Sequence, residues 1–484
     1  MNTRVEKRER LVLAVDLDGT LLHGDLLWEH LVRFLIAAPW RMGSVLVWWL
    51  KGGRASLKAK LASRTAIDGA LLPWNLEVVE FCKARAAEGW TVVVATAANE
   101  KAAAAATAHF PFIAAVIGSD EATNLKSERK ALRLTAEFGA GGFDYVGDSA
   151  ADLPVWKAAR NADFVGPART ERCFATQLGR PLTTVSSASG FSWRSLAAAV
   201  RPHQWLKNLL VFFPLLTAHR WNEAACWRLV VPVFFAVCCM ASASYLLNDL
   251  SDLEADRRHV RKKFRPLASG ALSLPAGIVA MFALFALGVG LAAASGWAAL
   301  AATVAYFAFS AFYSLALKTV PILDAVFLSG LYTYRMVLGG IAGSIMISAW
   351  LLAFSTTFFL GLAFLKRYVE LDAMTALGDE RVSRRGYRRE DLGFVQITGI
   401  SSSFLSVVVL ALYLDSSASS ALYAKPHWLW AIALALLLWN MRVWFLAGRK
   451  RMHDDPVWFA ARDPATFALG AFCVAVVAAA GPLR

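Results

Sequence analysis

Apolar residues follow two different patterns in the two parts of the chain. In the first 200 residues they form short runs, at 11–15, 91–95 and 143–146, and each run ends in polar residues. Short continuous runs of this kind are typical of buried strands in a parallel sheet. The region between the first two runs, residues 25–90, is predicted to be mainly helical.

Long apolar segments dominate the rest of the chain. Nine of them lie at 206–218, 226–247, 272–294, 297–316, 322–345, 348–365, 394–414, 427–447 and 465–482. Eight are close to the about 20 residues that a helix needs to cross the hydrocarbon core of a bilayer, and the first is shorter. The two patterns together predict an α/β domain with a helical insertion, followed by an all-α bundle of nine transmembrane helices.

Charged residues decide whether the short first segment crosses the membrane. Lys and Arg are dense in the loops at 248–271, 366–393 and 448–464, and nearly absent from the loops between them. Because cytoplasmic loops carry an excess of Lys and Arg, the dense loops are predicted to be cytoplasmic. If the first segment spans, the N-terminal domain lies on the same side. We therefore predict a multi-pass protein of a bacterial inner membrane, with its N-terminal domain in the cytoplasm.

The overall composition and charge distribution argue against a nucleic-acid-binding function. Of the 484 residues, 57% are hydrophobic, and 50 Lys and Arg exceed 36 Asp and Glu. A basic balance can indicate a nucleic-acid-binding protein. Here the cations lie in loops between apolar segments and no nucleic-acid motif is present, so we predict a membrane partner and no nucleic-acid partner.

The boundary between the two parts is predicted at residues 179–192. The sequence there, GRPLTTVSSASGFS, is rich in Gly, Ser and Thr and lacks hydrophobic periodicity, which is typical of a flexible linker. The predicted domains are residues 1–178, with a cap at about 25–90, and residues 193–484.

Polar side chains follow each predicted strand of the N-terminal domain. Asp16 and Asp18 follow the first, Thr96 the second, and Asp148 and Asp152 the third. Polar groups at the carboxyl ends of parallel strands indicate a binding site. One of the first two carboxylates could attack phosphorus while the other exchanges protons with the leaving oxygen and water. The hydroxyl could bind a phosphoryl oxygen, and the last two carboxylates could hold Mg²⁺.

These motifs resemble those of the haloacid dehalogenase superfamily of phosphohydrolases over residues 8–175. The pattern is DLDGT at 16–20, a Thr at 96, a lysine, and GDSAAD at 147–152. The resemblance implies a Rossmann-like fold in which Asp16 is the nucleophile, Asp18 the acid and base, and Thr96 the phosphate binder. It places Mg²⁺ at Asp16, Asp18, Asp148 and Asp152. Lys126 is the preferred phosphate-neutralising lysine and Lys130 the alternative.

The superfamily inserts a specificity cap at the position of residues 25–90, and here the cap sequence is rich in tryptophan. Trp28, Trp40, Trp48 and Trp49 lie among aliphatic residues with Arg and Lys at intervals. Helices of this composition could lie in the membrane interface. Packing of the cap on its own domain is the alternative, and the sequence does not separate the two.

The stretch at 248–270, NDLSDLEADRRHVRKKFRPLASG, carries acidic residues followed by a run of Lys and Arg. Asp249, Asp252 and Asp256 recur at spacings of three and four, which would place them on one face of a helix. Their oxygens suit Mg²⁺ shared with substrate phosphates, and cations such as Lys262 and Arg265 suit the rest of an anionic substrate. For the cations alone, a positive-inside charge cluster is the alternative.

Further polar residues lie after the fourth apolar segment and inside the fifth. Tyr313 and Lys318 follow the fourth, and Asp324 and Arg335 lie within the fifth. Ionisable residues inside a membrane face a cavity or a partner far more often than lipid, so these residues are candidates for substrate binding. Pairing of Asp324 with Arg335 is the structural alternative.

The nine segments and these motifs resemble the UbiA superfamily of membrane prenyltransferases over residues 201–482. The motifs are RPHQWLKN at 201–208, NDLSDLEADRRH at 248–259, RPLASG at 265–270, YSLALK at 313–318 and LKRYVEL at 365–371. They are most similar to the branch of polyprenyl-phosphate phosphoribosyltransferases, such as the decaprenyl-phosphate enzyme. Tyr313 and Lys318 stand where users of prenyl diphosphate have a second Asp-rich motif. One departure is Val260, where this branch is expected to have proline.

The two resemblances together imply a bifunctional Mg²⁺-dependent enzyme. Its membrane domain would transfer 5-phosphoribose from phosphoribosyl diphosphate to a polyprenyl phosphate, and its N-terminal domain would remove the 5-phosphate. The product, polyprenyl-phosphoryl ribose, would serve cell-envelope glycan synthesis. The alternative is transfer of a prenyl group from prenyl diphosphate to an aromatic acceptor, with a regulatory or separate role for the N-terminal domain.

The resemblance to the membrane enzymes also implies a set of site residues. Asn248, Asp249, Asp252 and Asp256 would hold Mg²⁺. Substrate would be bound by Lys207, Lys262, Arg265, Tyr313, Lys318, Asp324 and Arg335.

Overall fold

A computed structural model describes residues 11–120, 123–187, 192–376, 386–452 and 455–481. The chain packs as two units. Unit 1 comprises Met1–Val200 and Asp249–Ala280, and unit 2 comprises Arg201–Asn248 and Met281–Arg484. The predicted domain limits differ in two places, because they assigned residues 193–200 and 249–280 to the membrane domain.

A parallel sheet of six strands forms the centre of unit 1. The strands are β1 (Val12–Val15), β2 (Thr91–Asn99), β3 (Ile113–Ser119), β4 (Asp144–Gly147), β5 (Ala162–Val165) and β6 (Thr183–Ser186). Their order is β3-β2-β1-β4-β5-β6. Alternate residues of β1 enter different buried clusters, Val12 and Ala14 in one and Leu13 and Val15 in the other. Both faces of the sheet are therefore covered, as the continuous apolar runs predict.

The strand β6 lies inside the predicted linker. Residues 179–192 were expected to be flexible, but Thr183–Ser186 pair in parallel with β5, and Ser186 is buried. The β-branched residues of TTVS favour an extended strand, and this propensity outweighs the turn-forming composition around it. Residues 188–191 of the predicted linker lie outside the described residues.

Eight α-helices lie among the described residues of 11–200. They are α1 (Leu26–Ala37), α2 (Met42–Ala62), α3 (Leu76–Ala87), α4 (Glu100–Thr107), α5 (Glu128–Phe138), α6 (Leu153–Ala158), α7 (Ala168–Leu178) and α8 (Trp193–Val200). The first three confirm that residues 25–90 are mainly helical.

The described residues from 201 onward form twelve further α-helices. They are α9 (Phe213–Thr217), α10 (Ala224–Ser251), α11 (Leu253–Arg258), α12 (Leu274–Ala293), α13 (Trp297–Leu315), α14 (Leu323–Gly343), α15 (Ala349–Ala376), α16 (Leu392–Leu414), α17 (Ser417–Ser420), α18 (Trp430–Gly448), α19 (Pro456–Ala460) and α20 (Pro464–Ala480).

Seven helices, rather than the predicted nine, are long and apolar enough to cross a membrane among the described residues. They are α10, α12, α13, α14, α15, α16 and α18, and α20 is apolar but shorter. The first predicted segment forms a 3₁₀ helix at Pro202–Phe212 followed by the short α9. Pro214 lies in that segment, and a proline lacks the N–H and clashes with the carbonyl four residues earlier, which opposes one continuous α-helix over 206–218.

The cap exposes part of its apolar surface. Trp40 is 81% exposed and Leu50 is 68% exposed, with Leu46 and Trp49 also exposed between them. Trp48, in contrast, packs on Phe34 with 5.4 Å between the ring centroids. Packing within the cap therefore accounts for only some of its apolar residues. The exposed ones, with Arg41 and Lys51 beside them in sequence, have the composition of an interfacial surface.

We expect the exposed face of α2 to contact lipid headgroups. Two variants test this, Leu50→Cys and Leu132→Cys, each made in a Cys173→Ser background because Cys173 is exposed. A nitroxide spin label is attached to the new cysteine of the full chain in lipid nanodiscs. Leu132 is 70% exposed and is the matched control in α5. The label at 50 should be more accessible to oxygen and the label at 132 more accessible to a water-soluble nickel complex. Equal access of the nickel complex to both labels would contradict lipid contact.

Candidate active sites

The polar residues predicted at the strand ends converge at one edge of the sheet. Val15 of β1 is in register with Val94 of β2 and Val146 of β4, so the residues that follow these three positions lie side by side. The Asp16 N–H donates to the Val146 carbonyl at 2.9 Å, which joins the ends of β1 and β4. Thr96 is fully buried, and its hydroxyl oxygen accepts a hydrogen bond from the Ala98 N–H at 2.9 Å.

Three carboxylates form a cluster at this edge. Asp16, Asp148 and Asp152 each offer an oxygen within 4.8 Å of the others, and this group is called the carboxylate cluster below. Lys130 supplies one positive charge to it, so the fully ionised cluster would carry excess negative charge in a buried place. Divalent cations with a preference for oxygen ligands would balance that charge, and the donor set therefore fits Mg²⁺.

Lys130, rather than the preferred Lys126, contacts the cluster. Its ammonium nitrogen lies 3.0 Å from Asp16 Oδ1 and 3.4 Å from Asp152 Oδ1, and the residue is buried. Lys126 lies before α5, in an open cleft with Asn124 and Glu128. The preference for Lys126 is corrected because α5 begins at Glu128, which places Lys130 in its first turn.

Burial raises the pKa values of Asp16 and Asp18 to different extents. Burial raises the pKa of Asp16 to about 6, with Lys130 opposing the rise. Burial, followed by the charge of Asp25, raises the pKa of Asp18 to about 8, although its carboxylate accepts the Leu26 N–H at 2.8 Å. Asp18 can therefore hold a proton near neutral pH. Two neighbouring carboxyl groups with separated pKa values suit a nucleophile and a general acid.

Gly19 is required by the geometry beside the cluster. Its φ of +83° is in the left-handed region that side chains rarely adopt, and a Cβ there would lie 2.4 Å from Asp148 Oδ2. The next residue, Thr20, donates from its hydroxyl to Asp148 Oδ1 at 3.4 Å. The DLDGT sequence thus contributes a carboxylate, a close backbone approach and a hydrogen-bond donor.

Two residues near the cluster were missed by the sequence analysis. The Tyr145 hydroxyl donates to Asp152 Oδ1 at 2.7 Å and accepts from Lys130 at 2.9 Å. Lys58 of α2 donates to the Ala97 carbonyl at 2.6 Å, and its charge opposes the rise in the pKa of Asp18 that burial causes. A hydroxyl-bearing aromatic residue just before GDSAAD could have indicated the first. No sequence signal joins the second to a strand end, because it comes from the cap.

In the 248–270 stretch, the three aspartates do not lie on one helix. Helix α10 ends at Ser251 and α11 begins at Leu253, so Asp252 stands at the break. Asp249 and Asp256 are buried, and both accept from one nitrogen of Arg265, at 3.0 and 2.6 Å. The prediction of a shared helix face is therefore wrong, although two of the carboxylates still converge.

The carboxylates of Asp249 and Asp256 together bind a cationic group, the guanidinium of Arg265. Among the residues that the structure describes, Asp249, Asp252 and Asp256 do not make a three-oxygen group like the carboxylate cluster. The Arg265 guanidinium bridges Asp249 and Asp256 instead. Mg²⁺ is commonly held by one or two carboxylates together with substrate phosphates, so this pair fits that ion. Lys262 lies in the 3₁₀ turn Lys262–Phe264 nearby in sequence.

In unit 2, Lys318 and Asn248 are joined directly. The Lys318 ammonium group donates to Asn248 Oδ1 at 3.1 Å. This contact brings the residue after the fourth apolar segment to the start of the acidic motif. Both residues are candidates from their motifs, but a separation of 70 positions along the chain predicts no contact between them.

The two ionisable residues of α14 have separate partners. Arg367 lies 2.6 Å from Asp324, and the Tyr387 hydroxyl donates to the same carboxylate at 2.7 Å. Arg335 donates to Asn208 Oδ1 at 2.8 Å and to the Tyr306 hydroxyl at 2.6 Å. The alternative in which Asp324 pairs with Arg335 is therefore wrong.

The contacts of Arg367 also include a predicted substrate residue. Its guanidinium donates to the Tyr313 hydroxyl oxygen at 3.4 Å. Arg367 was missed as a partner because LKRYVEL lies far from Asp324 and Tyr313 in sequence. Substrate roles for Tyr313, Asp324 and Arg335 stay predictions.

Two lysines of unit 2 share one carboxylate oxygen. The ammonium nitrogens of Lys207 and Lys366 each lie 2.8 Å from Asp455 Oδ2. Burial alone would raise the pKa of Asp455, but the charges of Lys366 and Lys207 outweigh it and hold that pKa well below its usual range. Lys207 is therefore held by a residue of the loop at 448–464. The two residues are 248 positions apart, so no local pattern in the sequence connects them.

Comparison with known proteins identifies a family over the membrane part. The model of the UbiA prenyltransferase family matches residues 209–462. The uncharacterised protein y4nM of Sinorhizobium fredii NGR234 is 34% identical over 464 residues, covering 96% of this chain and 89% of that protein. The match therefore includes the N-terminal part as well as the membrane part.

Two further relatives match about half of the chain each. Nodulation protein NoeC of Azorhizobium caulinodans is 34% identical over 279 residues, covering 57% of this chain and 90% of that protein. A decaprenyl-phosphate phosphoribosyltransferase of Corynebacterium glutamicum is 34% identical over 232 residues, covering 46% of this chain and 69% of that enzyme.

Neutralising Asp455 should destabilise the protein. Asp455→Asn keeps the size of the side chain but leaves the ammonium groups of Lys207 and Lys366 without their shared counter-charge. Removing one partner of a buried ion pair costs about 3 kcal/mol or more. Thermal unfolding in detergent should show a clear fall in the midpoint temperature.

The matched control for this variant is Asp372→Asn. Asp372 also pairs with a lysine, Lys450, at 3.7 Å, but that lysine side chain is 61% exposed, so water can solvate the ammonium group when the pair is lost. A solvent-exposed pair is typically worth about 1 kcal/mol or less. An Asp455→Asn midpoint no lower than that of Asp372→Asn would contradict the structural role of Asp455.

Proposed function

The chain belongs to the UbiA prenyltransferase family of membrane transferases, and on this premise we propose that it is a bifunctional enzyme of a bacterial inner membrane. It transfers 5-phosphoribose from phosphoribosyl diphosphate to a polyprenyl phosphate. Its N-terminal domain, a haloacid-dehalogenase-like phosphatase, then removes the 5-phosphate. The product is polyprenyl-phosphoryl ribose, a sugar donor for cell-envelope glycan synthesis, and both sites act on the cytoplasmic side.

The observation that carries the transferase proposal is the hydrogen bond from Lys318 to Asn248. Lys318 places a positive charge against the first residue of the acidic motif, at a position where users of prenyl diphosphate have further carboxylates. A cation there favours an anionic second substrate, as a lipid phosphate is, over a second metal-bound diphosphate. The similarity of 46% of the chain to a decaprenyl-phosphate phosphoribosyltransferase supports the same substrates.

In the transfer step, a phosphate oxygen of the lipid attacks the anomeric carbon of the sugar. The bond between that carbon and the pyrophosphate oxygen breaks, and pyrophosphate leaves with the bonding electrons. Because the attacking phosphate is already anionic, the step needs no strong general base. Asn248, Asp249, Asp252 and Asp256 would hold Mg²⁺, which supplies positive charge that stabilises the departing pyrophosphate.

The cations of this chain have the remaining roles in transfer. Arg265 bonds to both Asp249 and Asp256, so its guanidinium can reach a diphosphate bound at those carboxylates. Lys318 neutralises phosphate charge beside Asn248, and Lys207, Lys262, Tyr313, Asp324 and Arg335 remain the further substrate-binding candidates. Fixed charges of this kind stabilise developing charge without reorganisation during the reaction.

The carboxylate cluster supports the phosphatase step. Asp16 attacks phosphorus, and Asp18 donates its proton to the leaving ribose 5-oxygen. Asp18, now ionised, takes a proton from the water that hydrolyses the aspartyl phosphate. Lys130 neutralises the phosphoryl oxygens and Thr96 donates a hydrogen bond to one of them. Asp16, Asp148 and Asp152 would hold Mg²⁺, with Asp18 beside them, and the ion would shield the repulsion between nucleophile and phosphate.

Fusion of the two activities serves a physical purpose. A phosphatase linked to the transferase meets the lipid product at an effective concentration on the order of millimolar, whatever the bulk amount of either. The product therefore loses its 5-phosphate before it diffuses away in the membrane.

Neutralising Asp252 should abolish transfer. In membranes supplied with polyprenyl phosphate and phosphoribosyl diphosphate, Asp252→Asn should lower lipid-linked phosphoribose by at least about 100-fold, because a lost metal-binding charge removes stabilisation of pyrophosphate. Mass spectrometry of the lipid products measures the loss. Glu254→Gln, which neutralises a neighbouring exposed carboxylate, is the control and should keep its activity.

Two outcomes would contradict the transferase proposal. One is normal turnover of the Asp252→Asn variant. The other is a product formed from prenyl diphosphate and an aromatic acceptor but not from phosphoribosyl diphosphate, which would establish the alternative prenyl transfer.

Loss of the proposed nucleophile should leave the 5-phosphate in place. In Asp16→Asn, transfer continues but the lipid product should retain the mass of one additional phosphate group, because the amide cannot form the aspartyl phosphate. Liquid chromatography with mass spectrometry separates the two lipids.

Lys126→Met is the matched control for this variant. It removes a nearby positive charge outside the carboxylate cluster, and its product should be fully dephosphorylated. If the Asp16→Asn product is already dephosphorylated, the N-terminal domain does not perform the second step.

A further inference from the structure

One arginine of the basic run makes a buried ion pair with helix α1 inside unit 1. The Arg257 guanidinium donates to both carboxylate oxygens of Glu29, at 2.9 and 2.6 Å. Its third nitrogen, Nε, donates to the Ala268 carbonyl at 3.0 Å. Both side chains of the pair are nearly inaccessible to solvent, at 8% and 6% exposure. Two parallel bonds between a guanidinium and a carboxylate fix their relative orientation as well as their distance.

This pair excludes Arg257 from binding substrate. All three guanidinium nitrogens have protein partners, and the side chain is buried. Pulling it away to meet a phosphate would leave the Glu29 carboxylate buried and unpaired, which is strongly unfavourable. The sequence places Arg257 in a run of Lys and Arg that suits an anionic substrate or cytoplasmic retention, and neither role describes it.

The pair is directly connected to the acidic motif. Arg257 follows Asp256 in α11, and the Asp256 N–H donates to the Asp252 carbonyl at 2.8 Å. The Asp256 carboxylate in turn accepts from Arg265 at 2.6 Å. The bond between Arg257 and Glu29 therefore holds α11 in place. This short helix carries Asp256, and it begins directly after Asp252.

The far end of the same segment is held by close packing. Gly270 has a φ of +76°, and a Cβ on it would lie 2.5 Å from the His23 carbonyl oxygen. The Ala268 carbonyl, two residues earlier, is the acceptor for Arg257. Residues 256–270 are thus attached to the N-terminal part of unit 1 at both ends.

We propose that Glu29 is a positioning residue for the transferase site. Acting through Arg257, it sets the place of Asp256 and hence of the charge-binding pair Asp249 and Asp256. Transfer of phosphoribose then depends on helix α1 of the phosphatase-like domain, although no group of that helix touches the reacting atoms. This inference rests on the proposed transferase function of the acidic motif.

The test compares the buried pair with an exposed pair between the same two segments. Arg33 of α1 and Glu254 of α11 also form an ion pair, but their side chains are 43% and 38% exposed. Glu29→Gln and Glu254→Gln each remove one carboxylate charge from full-length enzyme in nanodiscs. The measurements are the KM for phosphoribosyl diphosphate, the Mg²⁺ concentration for half-maximal rate, kcat and the thermal midpoint.

Glu29→Gln should raise both the KM and the half-maximal Mg²⁺ concentration by about tenfold or more, as loss of a partner that orients a ligand-bearing residue does. Glu254→Gln should change neither by more than about twofold, because an exposed pair contributes little. A purely structural role would lower the amount of active enzyme and the thermal midpoint while leaving KM and the Mg²⁺ dependence unchanged. That result would overturn the proposal.

A charge swap keeps the test decisive if Glu29→Gln folds poorly. Glu29→Arg and Arg257→Glu should each impair transfer, and the double variant should recover lower KM and Mg²⁺ values than either single variant. Failure of the double variant to recover either value would also overturn the proposal. If Asp252→Asn retains normal transfer, the proposed function fails instead, and the two failures are distinguished.

Discussion

Buried carboxylates need positive charge, and this requirement organises both units of the protein. Removing an ionised carboxylate from water is costly unless a cation or several hydrogen bonds compensate for it. The cluster at the sheet edge is neutralised in part by Lys130. Asp324 has Arg367, Asp455 has two lysines, and Glu29 has Arg257. In each case residues far apart in sequence are brought together because neither could be buried alone.

The degree of charge balance separates structural pairs from candidate active sites. Glu29 and Arg257 balance each other and satisfy every nitrogen of the guanidinium, so the pair holds a segment in place. The carboxylate cluster has three acids and one lysine in direct contact, and burial raises the pKa of Asp148 to about 8. Two carboxylates likewise share Arg265 in the acidic motif. The carboxylate cluster, in which three acids share one lysine, can therefore accept a divalent cation and the substrate that accompanies it.

Patterns that depend on neighbouring residues could be interpreted from the sequence. The short runs became β1, β2 and β4, and the polar residues after them met at one edge because strands in register end together. The long apolar segments became membrane-length helices, except at 206–218, where Pro214 opposes one continuous α-helix, and at the short α20. Lys126 was preferred over Lys130 because spacing along the chain does not specify where a helix begins. Lys126 lies in the loop before α5, whereas Lys130, four residues later, lies in the first turn of that helix.

The sequence by itself determined the two-part organisation, the strand-end carboxylates and the acidic motif, since each is a local pattern of residue type and spacing. Only the tertiary structure decided which charges pair. It joined Asp324 to Arg367 rather than Arg335, added β6 to the sheet and attached the acidic segment to α1 through Glu29 and Arg257. The physical reason is that the compensation of a buried charge is set by distance in space, and residues separated by as many as 248 positions can satisfy it.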